Sequence, residues 1–147
     1  MYSTSGYDRL YTKSISGVAK LLCMFFSVSG IICILLGAAP LTNPRGFVYI
    51  FVMLFACLAT ALVYLEHYCE MRHCRRHHCN ATKYELYLHA ALATTCFLVS
   101  SAVLTLSLAT YSVAAFFGYV TFCLYALEAW YNYRKYIQRD VSTQTIL

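Results

Sequence analysis

The chain has 147 residues, of which 61% are hydrophobic and only 12% charged, and its formal net charge is +5. A soluble domain carries about 45–50% apolar and about 25% charged residues, because its surface must be covered by polar groups. The composition therefore excludes a soluble globular enzyme or binding module, and the chain reads as an integral membrane protein.

Residues 1–17, MYSTSGYDRLYTKSISG, form a polar N-terminal tail. Within it, Tyr7 and Leu10 match the tyrosine-based sorting pattern, a tyrosine and a bulky apolar residue with two positions between them. The pattern is short, and an unstructured lead is the competing reading. After Lys20 the chain loses its charges, and a first span is expected over about 18–39, since a bilayer core about 30 Å thick needs about 20 helical residues. A cleaved signal peptide is the rival, with Gly37, Ala38 and Ala39 as its small-residue site. Its apolar core would be about 7–15 residues, shorter than this run, so a retained span is favoured.

Pro40 to Arg45, PLTNPR, reads as a tight turn, because proline stops one helix and starts the next. A second span is expected over 46–65, followed by a polar stretch at 66–85, EHYCEMRHCRRHHCNATKYE. A third span, about 86–107, carries His89; a fourth, about 112–130, carries Glu128; residues 138–147 form a C-terminal tail. The expected fold is thus all-α, an integral membrane four-helix bundle running up-down-up-down, with a membrane domain over 18–137.

Lysine and arginine set the orientation. Arg9 and Lys13 precede the first span and Lys20 lies at its start; Arg72, Arg75, Arg76 and Lys83 lie in the central stretch; Arg134, Lys135 and Arg139 follow the fourth span. The two short turns hold Arg45 alone. Both termini and the 66–85 loop are therefore expected in the cytoplasm. Asn80-Ala81-Thr82 has the pattern of a glycosylation sequon, and on this orientation it stays unmodified. Tyr64, Tyr68, Tyr84, Tyr87, Trp130, Tyr131, Tyr133 and Tyr136 flank the same side, where amphipathic rings prefer to sit.

Lipid gives helices little hydrophobic reason to associate, so small residues and hydrogen-bonding side chains mark the inward faces. On this argument Ser27, Gly30 and Gly37 face inward in the first span. Ala90, Thr94, Ser101 and Thr105 do so in the third, and Ala114, Gly118, Thr121, Tyr125 and Glu128 in the fourth. Cys23, Cys33, Cys57, Cys96 and Cys123 lie in apolar runs and read as small apolar fillers.

The span arrangement, with its small outer turns, resembles the MARVEL-domain tetraspan family, which includes MAL, plasmolipin and the chemokine-like-factor proteins. The residues that carry the resemblance are Lys13-Ser14-Ile15-Ser16-Gly17-Val18-Ala19-Lys20 at the opening of the first span. In the fourth span they are Ala114-Ala115-Phe116-Phe117-Gly118-Tyr119-Val120-Thr121, with Leu124-Tyr125-Ala126 and Trp130-Tyr131 beyond. The resemblance covers roughly residues 13–136. It implies vesicle traffic, membrane-domain organisation, junctions or membrane apposition, and no catalytic residues. A dense Cys/His loop is not part of that family pattern.

Several candidate sites stand beside this. Cys69, His73 and His77 are spaced four apart and are weak metal-ligand candidates, matching no strong two-half zinc pattern. Cys69, Cys74 and Cys79 are candidates for S-palmitoylation, as cytoplasmic cysteines beside spans. The alternative for the whole stretch is a solvated basic loop that fixes topology and meets anionic lipid heads. His89 and Glu128 are ionisable residues inside the expected third and fourth spans. Counted from the turn near Ala109 they fall at nearly the same depth, so an intramembrane polar pair is expected; the alternative is a Glu128 that reaches for water. At the C-terminus, Thr145 and Leu147 resemble the Ser/Thr-x-apolar class of PDZ ligand, in which the last and third-last side chains face one side of an added strand.

The expected function is non-enzymatic organisation of membrane or cargo in vesicle trafficking. A structural role at cell–cell junctions or in membrane apposition before fusion is the first alternative, and a small channel or transporter the second. The expected partners are membrane lipids, including anionic ones, a PDZ-domain protein, and copies of itself or of related chains. No nucleic acid or cofactor is expected. The expected location is the plasma membrane or trafficking vesicles.

Overall fold

A computed structural model describes residues 14–37, 43–73, 78–106 and 108–144, with side chains for 14–37, 43–67, 83–106 and 108–138. Among the described residues the chain forms four helices: α1 (Ile15–Leu35), α2 (Pro44–His73), α3 (His78–Leu104) and α4 (Ala109–Gln144). All four are long and apolar enough to cross a membrane. Each helix packs against its neighbours in sequence, and α4 closes the ring against α1. This is the up-down-up-down arrangement that short connections favour.

Local chemistry sets the helix starts. Ser14 caps α1, its hydroxyl accepting from the Gly17 amide at 3.2 Å, which satisfies one of the amides left unpaired at a helix N-terminus. In α2, Pro44 occupies the first helical position, where its missing N–H costs nothing. The Asn43 side-chain oxygen accepts from the Arg45 amide at 3.2 Å.

Toward one end of the bundle the helices run farther than the expected spans, whereas at the other α1 ends at Leu35 rather than 39 and α3 at Leu104 rather than 107. α2 continues to His73 and α3 begins at His78, so most of the 66–85 stretch is helical rather than looped. That stretch contains no Gly or Pro, and its Glu, Met, Arg and Ala are good helix formers. α4 likewise continues past Trp130 to Gln144.

The buried stripes have a near-heptad period. In α1 the buried residues are Gly17, Lys20, Cys23, Ser27, Gly30 and Ile34; in α2 they are Gly46, Tyr49, Met53, Ala56 and Thr60. Steps of three and four residues keep one seam facing its neighbours in a gently supercoiled bundle. The outside is lined by Phe25, Phe51, Phe55, Leu62, Leu98 and Phe116, all largely exposed. Such an exterior suits lipid and not water.

The inward face of α4 is the expected one: Ala114, Gly118, Thr121, Tyr125 and Glu128 are all buried. The expected face of α3 is not. Ala90, Thr94 and Thr105 are exposed and Ser101 half-buried, whereas Glu85, His89, Leu92, Cys96, Ser100 and Val103 form the buried stripe. The outward Thr94 has its partner within its own helix, donating to the Ala90 carbonyl at 2.6 Å; the half-buried Ser101 lies 2.9 Å from both the Phe97 carbonyl and the Tyr119 hydroxyl of α4. A hydroxyl that bonds back onto its own helix does not require an interhelical partner.

Three helices meet at the Tyr49 hydroxyl. It donates to the Ala114 carbonyl at 2.6 Å, and it stands where a Cβ on Gly30 would have to be. A Cβ on Gly118 would strike the Ser100 hydroxyl. Nearby, the Tyr125 and Thr60 hydroxyls lie 2.6 Å apart, joining α4 to α2.

Gly30→Ala and Gly118→Ala are each expected to destabilise the bundle by about 1–3 kcal/mol, the usual cost of overpacking. Thermal unfolding of the detergent-purified protein checks this. Wild-type melting temperatures for both variants would contradict the packing described here.

Candidate functional site: a buried charged cluster

Every helix contributes a side chain to a cluster near one end of the bundle, where α1 and α3 begin and α2 and α4 leave. Lys20 comes from α1, His67 from α2, Glu85 and His89 from α3, and Glu128 from α4. Lys20 is 1% exposed, His89 1%, Glu128 3% and Glu85 9%. In an apolar helix such groups are costly, and they persist when paired.

Lys20 is the centre. Its Nζ lies 2.5 Å from Glu85 Oε1 and 3.9 Å from Glu128 Oε2, and it donates to the Ser16 hydroxyl at 3.0 Å. Ser16 in turn donates to Glu128 Oε2 at 3.2 Å. His67 Nε2 lies 3.5 Å from the other oxygen of Glu85. The helix period assembles these contacts. Ser16 and Lys20 are one turn apart in α1, and Glu85 and His89 one turn apart in α3, so each pair shares a face.

His89 is held by its own helix. Its Nδ1 lies 2.6 Å from the Glu85 carbonyl. A carbonyl oxygen only accepts, so Nδ1 carries the hydrogen. Nε2 is buried with no hydrogen-bond partner among the described residues. The ring packs against Tyr125, centroid to centroid 5.9 Å. Tyr125 lies one turn from Glu128 and is bound to Thr60, so the cluster rests directly on the hydroxyl contacts between α4 and α2.

A ring nitrogen of His89 and one carboxylate oxygen each from Glu85 and Glu128 lie within 4.8 Å of one another. His89 and Glu128 are therefore at one depth, and Glu128 is buried among α1, α3 and α4. Three such donors resemble a metal-ligand set. The cation beside the two carboxylates, however, is the Lys20 ammonium, which makes the arrangement as it stands a salt-bridged cluster.

Lys20, Glu85 and His67 are members that span-by-span reading misses. Each falls at the edge of an apolar run, where hydropathy suggests an exposed boundary. A signal does exist: Lys20 falls in the buried line Gly17, Cys23, Ser27, and Glu85 falls one turn before His89. The side chains of Cys69, Cys74, Cys79, His73 and His77, and all of Tyr7, Leu10, Thr145 and Leu147, lie outside the described residues.

Fold and site together define an all-helical, multi-pass membrane protein whose interior carries a charged cluster shared by four helices. No family model, no curated protein and no solved structure matches this chain.

Removing one partner of a buried ion pair leaves an uncompensated charge, at a typical cost of about 3–5 kcal/mol. Lys20→Met is therefore expected to be severely destabilising. The double variant Lys20→Met/Glu85→Gln is expected to recover much of the loss, with a coupling above about 1 kcal/mol. Unfolding of both single variants and the double variant in one detergent measures this coupling. Additive losses would mean that Lys20 and Glu85 do not stabilise each other.

Proposed function

We propose that the chain is a non-enzymatic membrane organiser of MARVEL type that acts on membrane or cargo in vesicle traffic. In this reading both termini and the segment between α2 and α3 face the cytoplasm. The observation that carries it is the contrast between the two ends of the bundle. One end holds the charged cluster and the helix extensions of α2, α3 and α4. At the other end the one charged side chain among the described residues is Arg45, which donates to the Thr105 hydroxyl at 2.6 Å. The lysine and arginine distribution assigns the first end to the cytoplasm.

The middle of the bundle supports this reading over a channel. Tyr49, Met53, Cys96, Val103, Ala114 and Tyr125 fill it and are fully buried, and the hydroxyls of Tyr49 and Tyr125 are bonded across helices. A pore would need hydrated polar surface there. The cytoplasmic signals belong to the same proposal and rest on sequence: Tyr7 and Leu10 for sorting, Cys69, Cys74 and Cys79 for acylation, and Thr145 and Leu147 for a PDZ partner.

An N-terminally tagged protein in cells is expected in steady-state puncta that overlap vesicle markers. Signal restricted to cell contacts would replace trafficking with the junction reading, and ion flux in proteoliposomes would replace both. Glycosidase treatment is expected to leave the protein's mass unchanged. A shift that Asn80→Gln abolishes would reverse the orientation.

A further inference from the structure

Between α1 and α4, a groove of about 370 Å³ opens on the outer surface of the bundle and ends at the charged cluster. Its walls include Ala19, Leu22 and Leu124, and Ser16, Glu128 and Tyr131 also line it. The order along the helices gives it a direction. Ser16, Glu128 and Tyr131 stand at the bundle end, among the apolar Ile15, Val18 and Leu127, and the inner part, Ala19, Leu22 and Leu124, is apolar throughout. This is the polarity of a lipid molecule lying in one leaflet, head outward and chain toward the midplane.

The two carboxylates of the cluster are not equally compensated. Lys20 lies 2.5 Å and His67 3.5 Å from Glu85. Glu128 has Lys20 at 3.9 Å and a hydrogen bond from Ser16, and both contacts fall on Oε2. The less compensated carboxylate is thus the one that lines the groove. A carboxylate in an apolar setting calls for a cation, and charge-assisted hydrogen bonds to it are the strong ones.

We propose that this groove binds a single-chain lipid amine. The protonated amine meets the Glu128 carboxylate beside the Ser16 hydroxyl, and the hydrocarbon chain lies between α1 and α4 over Ala19, Leu22 and Leu124. Recognition has two parts. The chain is taken by apolar contact, which any lipid offers; the head is selected by charge, which alcohols, amides and fatty acids do not offer. The inference does not depend on a role in vesicle traffic, because it needs only a membrane-embedded bundle.

The test uses the full chain in phosphatidylcholine nanodiscs. The probes are an eighteen-carbon primary amine with a photoreactive diazirine in its chain, the alcohol of equal length, and the N-acetylated amine. The amine is expected to label peptides covering 16–22 and 124–131, and unlabelled octadecylamine to compete. Labelling by the alcohol and the amide is expected to be about tenfold weaker, as loss of a charged hydrogen bond implies. Glu128→Gln is expected to bring the amine down to the level of the alcohol. Ala19→Trp fills the groove and leaves the cluster's charges in place, so it is expected to abolish labelling by the amine. Equal labelling by the three probes, or crosslinks that map elsewhere, would overturn the proposal. So would full amine labelling of folded Glu128→Gln. If Glu128→Gln does not yield a monodisperse protein, Ala19→Trp decides, and unchanged labelling there overturns the proposal. The reconstituted system contains no cellular compartment, so a mislocalised protein in cells leaves this result unaffected.

Discussion

The ion pair between Lys20 and Glu85 is the contact on which the arrangement of the helices depends. It joins α1 to α3, which are diagonal rather than adjacent in the ring. His67 from α2 and Glu128 from α4 close around it. Charges buried in an apolar bundle are tolerable only when each faces its counterpart. A slip of α1 by one turn moves Lys20 by about 5.4 Å, enough to strand two carboxylates. Apolar side chains could slide past one another at far smaller cost, so the cluster specifies register where the hydrophobic seams alone do not.

Below the cluster the bundle relies on close approach. Lipid tails are as apolar as leucine, so burying more leucine gains little in a membrane. Short side chains and hydroxyls make the difference. Gly30 lets the Tyr49 ring cross from α2 toward α4, where its hydroxyl reaches a backbone carbonyl. Gly118 makes room for Ser100 in the same way. The hydroxyls of Tyr125 and Thr60 repeat the solution between α4 and α2. The hydroxyls of Tyr49 and Tyr125 thus have their polar requirement met inside the bundle.

These two layers give the molecule a chemical direction. The middle is packed and the hydroxyls of Tyr49, Thr60 and Tyr125 are bonded across helices, whereas one end holds a set of charges beside a groove that opens laterally. The cluster and the groove share Glu128, so whatever enters the groove meets the group that also helps to fix the register of α1 against α4.

Much of this was legible in the sequence. Four runs of about twenty apolar residues dictate four helices, because only helices satisfy every backbone group within the segment in lipid. Equal counting outward from the turn near Ala109 placed His89 and Glu128 at one depth, and small residues marked the inward face of α4 correctly. The same rule failed for most of that face of α3: Thr94 satisfies its hydroxyl on its own helix and is free to face outward, whereas the half-buried Ser101 does meet the Tyr119 hydroxyl of α4. The helical continuation through residues 66–73 was passed over because polarity was read as loop, although nothing there breaks a helix. What the tertiary structure alone decided is the burial of Lys20 and Glu85 and the approach of the half-buried His67 to them. Each sits at the margin of an apolar run, where hydropathy cannot distinguish a side chain in water from one in the bundle. That choice is made by which residues on three other helices arrive opposite it, and pairing across a bundle is a property of the assembled fold.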